Sequence, residues 1–63
     1  MRIDRIKLIT EMAKQDMKQK DLAEKAGISR ATVNYVKSGK SCSEKVGKKI
    51  ANALGVEVND LLE

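Results

Sequence analysis

Apolar side chains in this sequence recur at spacings of three and four, the period of a helix with one buried side. The pattern begins at the N-terminus and predicts a first helix from Ile3 to Gln15, with Ile6, Ile9, Met12 and Ala13 as its inward stripe. Asp16 and Met17 break it. A second helix is predicted over Gln19 to Ala26, burying Leu22 and Ala23 and ending at Gly27, where a left-handed backbone is easily adopted only by glycine. Ser29 restarts the chain as an N-cap for a third helix, Arg30 to Ser38, which buries Val33 and Val36 and stops at Gly39.

After the polar connection Lys40 to Cys42, Ser43 caps a fourth helix that reaches Leu54, with Val46, Ile50, Ala53 and Leu54 inward and Gly55 as its stop. Gly47 inside it is a local weakness of about 1 kcal/mol relative to alanine. A last helical turn near Asn59 to Leu62 tucks Val56, Val58, Leu61 and Leu62 against the rest. The prediction is therefore an all-α fold of five short helices. Aliphatic residues dominate the apolar set, Tyr35 is the only aromatic and proline is absent, which agrees with helices over sheet. At 63 residues, with no linker, repeat or low-complexity stretch, residues 1–63 are expected to be one domain.

Composition narrows the function classes. There is no histidine, no glycine-rich phosphate loop and no cluster of metal-ligand residues, and the single cysteine has no evident base, so no enzyme, metal site or cofactor is expected. Asp4, Asp16 and Asp21 are read as solvent-facing helix charges. Cys42 also excludes an internal disulfide, and no apolar run approaches the ~20 residues that span a bilayer, so the expected setting is the reducing cytoplasm. Cys42 reads as an exposed structural filler or, less simply, as a thiol that tunes binding.

Charge is distributed unevenly. Ser29 to Lys49 carries six basic residues against one acidic, whereas Ile50 to Glu63 carries no basic residue and three acidic ones. One strongly positive surface beside an acidic one is the pattern of a protein that meets a polyanion on one side, or else a solvated basic face.

The segment Gln19 to Ser38 carries the functional signal. Two helices crossing at about 90 to 120° need a small residue where their backbones meet, a residue tolerant of positive φ in the turn, and apolar residues clamping the second helix. Ala23 meets the first requirement, Gly27 the second, and Ile28, Val33 and Val36 the third. With "QKDLAEKAGISRATVNYVKSGK" followed by "KIANALGVEVNDLLE", the chain resembles the Cro/cI-like phage-repressor family, also called the XRE family, over nearly its whole length.

That resemblance implies a lambda-repressor-like helix-turn-helix formed by helices two and three, with the third helix in the major groove of double-stranded DNA. It implies base contacts from Ser29, Arg30, Ala31, Asn34 and Tyr35, with Thr32 alongside, on the side of the helix opposite Val33 and Val36. Arg30 can pair with guanine O6 and N7 or sit on a phosphate; Asn34 can pair with adenine or face solvent. The methyls of Ala31 and Thr32 suit thymine, and Tyr35 either meets DNA or covers a neighbouring side chain.

Gln19 stands where the family's glutamine holds a backbone phosphate. Ser38, Lys40, Ser41, Ser43 and Lys45 are expected to contact further phosphates, while Lys37 and Lys48 are either contacts or solvated charges. The implied function is a transcriptional regulator, most simply a repressor, whose homodimer binds a pseudo-palindromic operator, with pairing assigned to Val56, Val58, Leu61, Leu62 and nearby helix ends. The competing class is a protein-interaction module of the same fold, antitoxin-like or adaptor, with a protein partner. RNA is a poorer fit because the stacking aromatics of single-strand readers are lacking.

The sequence departs from the family at two caps. Lys18 and Glu57 stand where Ser or Thr usually caps the second and last helices, and lysine cannot accept an amide proton, which costs about 1 kcal/mol.

Overall fold

The computed structural model describes Met1 to Glu63 and contains four α-helices and no strand. They are α1 (Arg5–Lys14), α2 (Gln19–Ala26), α3 (Arg30–Lys37) and α4 (Glu44–Leu54). The expected fifth helix is a single 3-10 turn, Val58–Asp60. Three residues cannot close a full α-turn, and the turn is held by packing against α4.

Three starts are set by side-chain caps. Asp4 Oδ1 accepts from the amides of Ile6 at 2.8 Å and Lys7 at 3.2 Å, so Asp4 is the N-cap of α1 and not a free helix charge. Ser29 Oγ accepts from Thr32 N at 3.0 Å and Ser43 Oγ from Val46 N at 3.1 Å, opening α3 and α4 where the serines predicted. Lys18 offers α2 no acceptor, but Asp21 reaches back to the Lys18 amide at 3.0 Å; Asp60 does the same for Glu57, also at 3.0 Å. Half of each capping box thus survives the two departures from the family pattern. Gly27 and Gly55 end α2 and α4 with φ of 70° and 71°, and Asp16 takes φ 51° after α1, a conformation its short polar side chain tolerates.

α2 packs across α3 and α4, α1 lies against α3, and the C-terminal turn covers α4. The core between them holds Ile3, Leu8, Met12, Leu22, Ala23, Val33, Val36, Ile50, Ala51, Ala53, Leu54 and Leu61.

α1 departs from the expected rotation. Leu8 and Met12 are its buried residues, while Ile6 is 62% and Ile9 40% exposed and Ala13 also faces out. The helix carries two adjacent apolar rows, and periodicity alone could not rank them. Tertiary contacts decide: Ile3 is extended rather than helical, pairs with Leu62 in an antiparallel bridge and is fully buried, and Asp4 N donates to Leu61 O at 2.7 Å. Gln15 Nε2 then ties the far end of α1 to Leu54 O at 2.7 Å. With both ends fixed, Leu8 points in and Ile6 points out.

Candidate nucleic-acid interface

On α3, Val33 and Val36 are completely buried, and Ser29, Arg30, Ala31, Asn34 and Tyr35 are exposed, with Thr32 half-buried at the edge. The six residues proposed from sequence to read bases therefore lie together on the solvent side of one eight-residue helix and its cap. The Arg30 guanidinium has no ion-pair partner, since the three salt bridges present are Arg2–Glu63, Lys14–Glu11 and Lys48–Glu44. Ser29 and Thr32 are more committed: their hydroxyls share a 2.8 Å hydrogen bond while Ser29 also caps the helix.

Tyr35 is half exposed, and the Lys40 ammonium lies 5.1 Å from its ring centroid, within cation–π range. One of the two sequence-based roles for Tyr35, covering a neighbouring side chain, thus has a named partner that is itself a proposed phosphate contact.

The proposed phosphate contacts fall on the first turns of α2 and α4 and on the connection from α3 to α4. Gln19 opens α2, half-buried. Ser38, Lys40, Ser41, Ser43 and Lys45 are all exposed. A hydroxyl has one proton to give, and that accounting separates the serines. Ser38 spends its proton on Tyr35 O at 2.7 Å, whereas Ser43 uses only a lone pair on Val46 N and keeps its proton. Lys48 is engaged by Glu44 at 3.2 Å, and Lys45 has no ion-pair partner. Lys37 is half-buried and lines a shallow groove of about 340 Å³ with Gln19, Lys18, Ile9, Met12, Ala13 and Met17.

Cys42 corrects the expectation of an exposed filler. It is half-buried against the core, its amide donates to Met1 O at 2.8 Å, and its carbonyl accepts from the Met1 nitrogen at 2.8 Å. The Met1 side chain lies over Gly47, where a Cβ would collide with its sulfur, so the glycine read as a weak point is the seat of the N-terminal segment. Arg2 joins this clasp by donating from Nε to Gly39 O at 3.1 Å. No signal along the chain links residues 1 and 2 to 39 and 42, because only folding brings them together. No cluster of three or more His, Cys, Asp or Glu side chains is placed to hold a metal ion, and no helix is long and apolar enough to cross a membrane.

A helix-turn-helix family model matches residues 8–61, which takes in all four helices except the first turn of α1. The chain belongs to the Cro/cI-like helix-turn-helix family. No curated protein and no solved structure matches it. As a member of this family it is a DNA-binding transcription regulator, and α2 and α3 are its helix-turn-helix.

Proposed function

We propose that this regulator is a repressor that inserts α3 into the major groove of a pseudo-palindromic operator, two copies per operator, and blocks a promoter by occupying it. The observation that carries the reading is the division of α3, whose valines are sealed inside while Arg30, Asn34 and Tyr35 stay accessible beside the most basic part of the chain. Ser29, Arg30, Ala31, Thr32, Asn34 and Tyr35 face bases in this reading. Gln19, Ser38, Lys40, Ser41, Ser43 and Lys45 hold phosphates. Ser38 does so only by giving up its bond to Tyr35 O.

The pairing surface needs revision from the sequence expectation. Leu61 is fully buried in its own chain, and Val56 and Val58 already pack on the core, so the C-terminal residues alone offer little to a second copy. The apolar residue left accessible on that side is Ile6 of α1, which shares a shallow groove with Lys7 and Asp60, with Leu62 half-buried next to Lys7, whose ammonium donates to Leu62 O at 2.8 Å; Ile9 faces the groove shared with Gln19 and Lys37 instead. This edge is where a second subunit has apolar surface to cover. Half-sites about 34 Å apart would then present one groove to each α3.

Selection of bound duplexes from a random pool identifies the operator, and sedimentation of the complex counts the subunits. One protein per operator refutes the dimer. On the selected duplex Arg30→Ala should relax preference at one base pair by about 1 to 3 kcal/mol, whereas Lys40→Ala should weaken all sequences alike and lower the salt slope by roughly one. Equal losses on every sequence for both variants would reject the role given to Arg30.

The competing reading, a protein-interaction module, draws on the exposed Ile6 and Ile9. It predicts that the random pool yields no enriched duplex.

A further inference from the structure

Arg2 lies 37 positions from the loop it touches, yet its Nε donates to the carbonyl of Gly39 at 3.1 Å, between Ser38 and Lys40. A guanidinium has five N–H donors, and this bond uses one. The four donors on its terminal nitrogens have no protein acceptor, and the side chain is 61% exposed. The nearest carboxylate, Glu63 Oε2, stands 3.8 Å from Nε, an exposed pair too long for a hydrogen bond and worth little in water. Arginine's planar fork matches two oxygens of one phosphate, so a guanidinium anchored through Nε with its outer edge open is preorganised for such a bond.

We propose that Arg2 is a further phosphodiester-binding residue of the DNA interface, contacting the backbone segment that meets the α3–α4 connection. The inference rests on the reading of that connection as a phosphate-contacting loop. It adds a contact from the N-terminal segment, carried there by the Met1–Cys42 pairing and the burial of Ile3. A purely structural clasp would hold the loop in place without adding a charge to the DNA contact. The two roles differ in salt dependence.

The test uses a labelled 20-base-pair duplex of arbitrary sequence, since phosphate contacts do not need the operator. Affinity is measured by fluorescence anisotropy between 50 and 200 mM KCl for the wild type, Arg2→Ala, Arg2→Lys, Glu63→Gln and Lys40→Ala. Each phosphate contact contributes about 0.9 to the slope of log K against log salt. Over this fourfold range the wild type should therefore lose about 3.5-fold more affinity than Arg2→Ala, and Arg2→Lys should keep the wild-type slope. Glu63→Gln should keep the wild-type slope, because the exposed pair it removes is worth little in water. A wild-type slope in Arg2→Ala, with Lys40→Ala showing its expected drop, overturns the proposal and leaves the DNA reading intact. If the wild type itself shows no salt-dependent binding, the DNA reading fails and takes Arg2 with it. Should Arg2→Ala fail to fold, Arg2→Gln is measured in its place, and a wild-type slope in that variant overturns the proposal.

Discussion

Ser29 has two roles that pull apart under substitution. Its Oγ accepts from the Thr32 amide at 3.0 Å and shares a 2.8 Å bond with the Thr32 hydroxyl, capping a helix of eight residues that is too short to stand alone. Ser29→Ala removes the acceptor and leaves an amide unpaired, a loss of about 1 kcal/mol, or roughly 4–8 °C in Tm for a domain of this size. Ser29→Asp keeps an acceptor and places a negative charge on the helix's positive end, so its Tm should stay near the wild type. In the proposed complex that same carboxylate would stand next to Arg30 on the side turned to DNA. One like-charge contact at 4 Å costs about 1 kcal/mol even in bulk water, so DNA affinity should fall at least about fivefold. Circular-dichroism melting and duplex anisotropy on the same preparations separate the two effects. Wild-type melting of Ser29→Ala would refute the cap, and wild-type binding by Ser29→Asp would remove Ser29 from the DNA surface.

The rotation of α1 is checked by an opposed pair: Leu8→Ala should cost about 3 to 5 kcal/mol and leave little folded protein, while Ile6→Lys should shift stability by less than about 0.5 kcal/mol. Loss of helical circular dichroism in Ile6→Lys would contradict its exposure. Tyr35→Phe keeps the ring under Lys40 and should bind DNA as the wild type does, whereas Tyr35→Leu should lose a coupling to Lys40 of about 0.5 to 1 kcal/mol in a double-mutant cycle. Equal losses for Phe and Leu would assign the role to the hydroxyl instead. Lys18→Ser supplies the missing acceptor at the start of α2 and should raise stability by about 1 kcal/mol, read as a higher midpoint in urea. No rise would mean that Asp21 alone suffices.

Much of the helix-turn-helix was legible because its determinants are local. Ser29 and Ser43 as caps, Gly27 and Gly55 as left-handed stops and the inward pair Val33 and Val36 each depend on residues within four positions of one another. The solvent-facing set on α3 follows from that burial, since a side chain opposite two sealed valines has nowhere else to go. Cys42 and Arg2 were misread or missed for the converse reason: their partners are Met1 and Gly39, 41 and 37 residues away.

Sequence alone determined four helices, the caps and glycine stops between them and the concentration of positive charge around α3, because capping, glycine φ and 3.6-residue periodicity act over one or two turns. Tertiary structure alone decided which apolar row of α1 enters the core, that Leu61 belongs to the chain's own interior and that the N-terminal segment braces the loop after α3. These outcomes hang on contacts between distant parts of the chain. Ile6 and Leu8 are both apolar, and the pairing of Ile3 with Leu62 at one end of α1 and the Gln15–Leu54 bond at the other settle which of them water keeps.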